Sequence, residues 1–381
     1  MEYRKFGKLD WKPSALGFGA MRLPILENDS SKIDEPLAIE MIRHAIDHGV
    51  NYVDTAYGYH GGNSERLVGK ALKDGYREKA MLATKMPTWL TQTWDDFDRY
   101  LDEQLGKLQT DRIDFYLLHG LNRGRWPILR ELGVTRWAEE AKTDGRIGHI
   151  GFSFHDDYDM LKEIVNYYPG WEFCQIQYNY MDTMSSARAP GTEGLKYAAF
   201  KDLAVVVMEP IQGGRLSITP PAEIQELWDR APVKRSPAEW ALQWVWNHSE
   251  VSLVLSGMST MQHVVENVES AGRSGIEMLT EEELGIVAEV QKKYAEHGYI
   301  GCTSCLYCQP CPQGVLIPQI FGVLNESYTK EREEAKQAYL DGVSEEGRAD
   351  KCVQCGACEE QCPQGLPIMD LMRGTARNYG R

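Results

Sequence analysis

The stretch "ALGFGAM", residues 15–21, decides the fold. It reads as a first strand that ends in a glycine-bearing turn. In a doubly wound sheet that turn would open as G-x-G-x-x-G, so that a pyrophosphate could sit on the following helix. "GFGAM" is too short for that pattern, and the chain behind it alternates in a way that suits a closed barrel. Short apolar runs recur at "YVDT" (52–55), "AMLATK" (80–85), "IDFYLLH" (113–119) and "HIGFS" (149–153). They continue at "FCQIQ" (173–177), "AVVVME" (204–209) and "SLVLS" (252–256). Amphipathic stretches lie between them: "EPLAIEMIRHAIDHG" (35–49), "SERLVGKALKD" (64–74) with Ser64 as its N-cap, and "SPAEWALQWVWNH" (236–248) with Ser before Pro. Eight strands, each followed by a helix, over about 250 residues predict an α/β chain built as a (β/α)8 TIM barrel. Residues 3–12 read as a hairpin ahead of the barrel. "LTEEELGIVAEVQKKY" (279–294) reads as a last helix with a Thr280–Glu283 capping box.

Beyond residue 296 the composition changes, which predicts a barrel over 1–296 and a second, small and mainly helical domain over 297–381. Eight of the nine cysteines lie in "CTSCLYCQPCP" (302–312) and "CVQCGACEEQCP" (352–363). Three cysteines two residues apart offer their thiolates to different irons of one cubic cluster, and a fourth followed by proline serves the other cluster. Zinc sites pair one C-x2-C with a distant second and do not repeat this arrangement. The crossover rule gives one 4Fe–4S cluster on Cys302, Cys305, Cys308 and Cys362 and another on Cys352, Cys355, Cys358 and Cys311. The first motif has two residues, not three, before its last cysteine. The tail repeats itself: "CPQGVLIPQIFGVL" (311–324) echoes "CPQGLPIMDLM" (362–372), a pseudo-two-fold of cysteine, proline, turn and apolar helix. Cys174, alone on a strand, reads as a core thiol. The tail resembles the two-cluster ferredoxins, in the helical variety of respiratory iron–sulfur subunits.

A net charge of −15 argues against nucleic acid or an anionic membrane as partner. No apolar run is long enough to span a bilayer, the start "MEYRKFGKLDWK" has no signal-peptide core, and the expected location is cytoplasmic.

The ends of the barrel strands supply candidate chemistry: Asp54 after the second, Lys85 after the third, His119 after the fourth, with Tyr59 in the loop behind Asp54. A carbonyl that accepts hydride needs a proton near its oxygen, and an ammonium beside a phenol favours its release. Asp54 would hold the ammonium, and His119 would orient the substrate oxygen. Taken singly, each is an ordinary strand-end residue.

"NYVDTAYGYHGGNSERLVGKAL" (51–72), "ATKMP" (83–87), "IDFYLLH", "GHIGFS" (148–153), "QIQYN" (175–179) and "VLSGMSTMQHVVENV" (254–268) resemble the aldo-keto reductases. The resemblance implies hydride transfer between NAD(P)H and a carbonyl or alcohol, with the tetrad on Asp54, Tyr59, Lys85 and His119; Tyr57 is the alternative to Tyr59. It implies that Ser153 and Gln175 hold the nicotinamide amide and that Gly19, Ala20 and Met21 pass beneath it. Pro210, Ile211, Gly213 and Gly214 would cover the pyrophosphate, with Gly257, Ser259, His263, Glu266 and Asn267 around the adenosine. Three positions depart from the family pattern: Phe154 for an Asn, Met208 for the aromatic under the nicotinamide, and His263 for the Arg that grips a 2′-phosphate, so NADP and NAD both stay open. Trp89, Trp126, Phe154 and the loop 180–194 read as substrate walls or as packing. A flavin at the barrel mouth is the alternative cofactor, and a redox protein is a candidate partner. An electron-transfer or docking protein with the barrel as scaffold is the alternative to a reductase.

Overall fold

In the computed structural model the described residues are 1–27, 29–296, 299–327 and 331–379. The strands are β1 (Leu16–Gly19), β2 (Tyr52–Asp54), β3 (Met81–Met86), β4 (Ile113–Leu121), β5 (Ile147–Phe154), β6 (Phe173–Gln177), β7 (Ala204–Met208) and β8 (Val251–Gly257). They close in sequence order into one parallel barrel, with β1 paired to β8. Each predicted run forms its strand because a barrel strand is covered on both faces and so reads as nearly unbroken apolar sequence. Phe6 and Trp11 of the leading segment plug the end where the strands begin, against Tyr52, Phe115 and Phe173. That segment carries the antiparallel bridges Tyr3–Ser14 and Phe6–Leu9, the hairpin expected there. With one end of the barrel sealed by aromatics, the opposite end carries the polar strand termini.

Two compact units divide the chain: Met1–Pro210 with Leu242–Leu279, and Ile211–Ala241 with Thr280–Arg381. The first holds all eight strands. The domain boundary expected between residues 296 and 297 touches residue 297, which lies outside the described residues.

In the second unit, the Thr280–Glu283 capping box forms as expected: Glu283 N donates to Thr280 Oγ1 at 3.2 Å, and Thr280 N to Glu283 Oε2 at 2.9 Å. Helix Glu281–Glu296 pairs with helix Ala222–Asp229 and its flank through Lys293–Glu223 and Arg230–Glu289. Ile300, two residues before the first tail cysteine, is pinned twice by Asn325 (2.9 Å each way) and once by Arg215 (3.2 Å). The repeat seen in sequence builds helices Ile317–Glu326 and Ile368–Tyr379, each preceded by a glycine at positive φ, Gly314 at 71° and Gly365 at 57°. Their apolar faces meet around Ile317, Phe321, Tyr339, Ile368 and Met372, and six of the cysteines pack against that small core.

One cap differs from expectation. Asn63, not Ser64, stands at the N-cap of helix Ser64–Ala71. The Ser64 hydroxyl donates to Ala20 O at 2.9 Å and meets Thr55 Oγ1 at 2.8 Å. It ties the turn after β1 to the end of β2, where Asp54 sits.

Candidate active site and cluster cradle

Asp54 ends β2 and Lys85 lies near the end of β3, a register that sets their side chains together. Lys85 Nζ donates to Asp54 Oδ1 at 2.6 Å and to Thr55 O at 2.8 Å, and neither side chain is more than 4 % exposed. Burial, the larger influence, pushes Lys85 down and Asp54 up from their ordinary values; each partner's charge opposes that push. Asp54 Oδ2 has no hydrogen-bond partner among the described residues.

The Tyr59 ring centroid stands 5.0 Å from Lys85 Nζ and 5.9 Å from the His119 ring, edge to face. Tyr57 points elsewhere: its hydroxyl donates to Glu103 at 2.8 Å and Lys107 covers its ring. Of the two tyrosines, Tyr59 stands with the lysine.

β4 breaks register with β5 between Leu118 and Leu121, and Gly120 takes φ 63°. Such an irregularity re-aims a side chain, here His119. Ser153 Oγ holds the displaced backbone by accepting Gly120 N–H at 2.8 Å, and its own hydroxyl proton can still be donated. Burial, then the charges of Lys85 and Arg125 and the nearby His155, hold His119 well below the ordinary histidine range, so its imidazole is neutral. Trp89, 40 % exposed, sets its ring 5.2 Å from His119 and forms an open wall. Trp126 and Phe154, the other aromatic candidates, are wholly buried, Trp126 against Tyr167 and Trp171 and Phe154 against Phe152. The loop 180–194 is fixed by Asp182, which accepts from Gln177, Asn179 and Arg188 at 2.8 Å each.

Among the cofactor candidates, Gln175 is buried; its Nε2 donates to Met208 Sδ at 3.4 Å, while Oε1 has no partner among the described residues. A buried amide oxygen left over in this way suits an incoming N–H donor such as a carboxamide. Ser153, next to it on β5, offers a donor. The buried Phe154 adds no polar group, so the grip expected from an Asn there is absent. Gly19 lies so close to β8 that a Cβ would stand 3.2 Å from Ser256 O. Ala20 N donates to Asp54 O at 2.8 Å, which places the Gly19–Met21 turn beside the tetrad.

At the end of β8, Ser259 N donates to His263 Nδ1 at 3.4 Å, and Thr260 caps the helix Met261–Gly272. Asn267 donates to Ser256 Oγ at 3.0 Å, and Glu266 accepts from Gln262. Arg22 lays its methylene stem against Gly257, 3.1 Å from where a Cβ would be. Sequence reading passed over this cation, and its only signal was its place directly after the Gly19–Met21 turn. Pro210 closes this run in the first unit. Ile211, Gly213 and Gly214 belong to the second, in a tight turn with Gly213 and Gly214 at φ 67° and 102°.

The tail cysteines gather into two cavities. One, of ≈ 230 Å³, is lined by Cys308, Cys311, Cys352, Cys355 and Cys358. The other, of ≈ 20 Å³, is lined by Cys302, Cys305, Cys308 and Cys362. Among the described residues no three His, Cys, Asp or Glu converge tightly enough for a single metal ion. Burial first, then Cys305, Cys302 and Cys362, push the Cys308 thiol up to about 12. Thiols crowded in this way ionise together only with a cationic centre among them, which an iron–sulfur core supplies. Cys174 is fully buried and pushed up to about 12 by burial alone, an inert core thiol.

A parallel barrel with a buried Asp–Lys pair, a tyrosine and a neutral histidine at its mouth defines a barrel oxidoreductase, here joined to a cysteine-rich iron–sulfur tail. Residues 15–292 match the aldo/keto reductase family, and the chain belongs to it. Residues 301–366 match the 4Fe-4S dicluster domain. The chain is 26 % identical over 306 residues to the NADH-specific methylglyoxal reductase of Escherichia coli, spanning 69 % of this chain and 91 % of that protein. It is 27 % identical over 301 residues to the L-galactose dehydrogenase of Arabidopsis thaliana, spanning 70 % and 87 %. Among solved structures, the holo form of aldo-keto reductase AKR11C1 from Bacillus halodurans superposes with a TM-score of 0.64 at 29 % identity, covering 76 % of this chain and 96 % of that one. No helix among the described residues is long and apolar enough to cross a membrane.

Proposed function

We propose that this chain is a nicotinamide-dependent reductase of a small carbonyl compound, or in reverse a dehydrogenase of the alcohol, working in the cytoplasm. The observation that carries the reading is the buried Lys85–Asp54 pair standing with Tyr59 and His119 in one cluster. Bound nicotinamide, NADP or NAD, supplies the hydride to the carbonyl carbon. Tyr59 gives its phenolic proton to the carbonyl oxygen, so that hydride and proton together make the alcohol. Lys85 favours the phenolate left behind, and Asp54 fixes the ammonium in a dry site where its charge is strong. His119, neutral, directs the substrate oxygen without adding charge. Ser153 and Gln175 would hold the carboxamide, and Gly19, Ala20 and Met21 the turn beneath it. Pro210 to Gly214 would serve the pyrophosphate, and Gly257, Ser259, His263, Glu266 and Asn267 the adenosine. The name of the Escherichia coli relative, an NADH-specific reductase, supports nicotinamide as cofactor.

The tail would hold two 4Fe–4S clusters, one on Cys302, Cys305, Cys308 and Cys362 and one on Cys311, Cys352, Cys355 and Cys358; when bound they supply one-electron chemistry, exchanged with a redox partner protein. The test is an anaerobic titration of the iron-loaded protein with NADPH and with NADH. It follows nucleotide binding by fluorescence and carbonyl consumption by product analysis, for wild type and Tyr59→Phe. Binding in both, with turnover lost by roughly 10²-fold or more in the variant, is expected. Full turnover in Tyr59→Phe would remove the acid from the scheme.

A further inference from the structure

The carbonyl oxygen of Ile300 accepts hydrogen bonds from three parts of the second unit. Cys302 N donates to it at 2.8 Å, Asn325 Nδ2 at 2.9 Å and Arg215 Nη1 at 3.2 Å. A carbonyl oxygen has two lone pairs, so three donors fill it and fix its position. Asn325 Oδ1 also accepts Ile300 N–H at 2.9 Å, and helix Ile317–Glu326 thus holds Ile300 through both its N–H and its C=O. Cys302 lines the smaller cysteine cavity, and Arg215 belongs to the turn Gln212–Ser217 that carries Gly213 and Gly214. That turn is knit together: Gly214 N and Leu216 N both donate to Ile211 O at 3.1 Å, and Ser217 Oγ donates to Gly214 O at 2.6 Å. The Arg215 guanidinium lies over the Tyr299 ring at 4.5 Å, and Tyr294 stands 5.6 Å from the same ring. The other cysteine cavity is anchored locally. Cys311 N donates to Gln309 Oε1 at 3.2 Å and Cys352 N to Ala349 O at 3.1 Å, acceptors in their own segments.

We propose that Arg215 is a positioning residue that couples nucleotide binding to iron retention. A nucleotide pyrophosphate on the turn Ile211–Gly214 guards the cluster on Cys302, Cys305, Cys308 and Cys362, and leaves the other cluster unguarded. This rests on the reading of that turn as the pyrophosphate cover. Two glycines at positive φ give the turn conformational freedom that is lost when a ligand orders it. A nucleotide that orders the turn holds Arg215 still, and with it the Ile300 oxygen that Cys302 N–H shares. A cluster loses iron when a ligand strand swings away, so a fixed Cys302 strand slows the loss. By linkage the contact works in reverse as well: a loaded cluster fixes Cys302 and preorganises the turn for its nucleotide. Cys311 and Cys352, bonded within their own segments, gain no such support.

The experiment follows iron release from the loaded protein to a ferrous chelator under anaerobic conditions, with and without saturating ADP-ribose or its 2′-phosphate. These probes carry the pyrophosphate and no nicotinamide, so no hydride chemistry intervenes, and their binding is read separately by tryptophan fluorescence. Wild type should lose iron in two phases, one slowed about 5-fold or more by the probe, the lower end of the range for coupled sites, and the other unchanged. Arg215→Met should still bind the probe at saturation but release its iron at rates the probe does not alter. Arg215→Lys should recover part of the protection. A role confined to holding the fold would speed release with and without probe alike, and leave that ratio in place. A probe that binds wild type yet slows neither phase, or slows both equally, overturns the proposal and leaves the reductase reading standing. So does a ratio that survives in Arg215→Met. If neither probe binds, the assignment of the turn to the pyrophosphate fails and this inference with it. The wild-type comparison decides even where a variant does not fold.

Discussion

The Asp54–Lys85 pair permits a prediction in energies. Both side chains are essentially out of water and their charged atoms are 2.6 Å apart. At an effective dielectric near 20, opposite charges at salt-bridge distance attract by roughly 4–6 kcal/mol. Burying each ion costs several kcal/mol, so the intact pair comes close to break-even. Removing one partner leaves the other's burial without an offset. Asp54→Asn and Lys85→Met should therefore each destabilise the protein by about 3–5 kcal/mol. The double variant should cost no more than either single change, so the non-additivity is about 3 kcal/mol or more. The assay is anaerobic urea unfolding of the four proteins, followed by tryptophan fluorescence, with midpoints and slopes compared so that a change in slope is not read as stability. Costs that add within about 0.5 kcal/mol would refute the reasoning, because they would mean that the two charges do not rely on each other.

Other outcomes follow from the same structure. Burial first, and then Arg125, hold His155 at about 4, so the folded protein refuses a proton that the unfolded chain takes near pH 6.5. Its stability is complete above pH 6.5 and falls towards pH 4, by about 1.4 kcal/mol per unit; His155→Gln should flatten that slope in unfolding curves, and parallel curves would contradict it. Glu172 is pushed up by burial, but hydrogen bonds from His149, Lys142 and Ile150 N outweigh this and bring it to about 2. That contribution is present above pH 4.5 and lost as pH falls to 2, so Glu172→Gln should cost about 3 kcal/mol at pH 7 and nothing below pH 2. Cys305→Ala and Cys355→Ala should each lower bound iron by about half, measured by iron assay and visible absorbance, whereas Cys174→Ala should leave it intact.

The eight strands could be read from sequence because both of their faces are covered, so hydrophobicity runs on without the interruptions that loops impose. The four candidates Asp54, Tyr59, Lys85 and His119 could be picked out for a related reason, since each ends a strand or follows one. Arg125, Arg22 and His155 were not visible. Arg125 reaches Gly120 O and the Arg22 stem lies against Gly257, contacts made by loops that fold back, and nothing in the local pattern marks such a convergence. The aromatics show the converse limit. Trp126 and Trp89 have the same composition signal, yet one is core and the other an open wall, because burial is decided by what packs from elsewhere in the chain. Ser64 likewise has the local look of a cap, and a tertiary acceptor, Ala20 O, claimed its hydroxyl.

The proposed function requires hydride delivery to a carbonyl carbon together with proton donation from Tyr59. The most direct test is single-turnover reduction of a small carbonyl compound with nicotinamide deuterated at C4, analysed by mass spectrometry and NMR, for wild type and Tyr59→Phe. One deuterium is expected on the new carbinol carbon, delivered from one face of the nicotinamide, with loss of product in the variant while nucleotide binding persists. Product without deuterium, or with deuterium in equal yield from Tyr59→Phe, would contradict it.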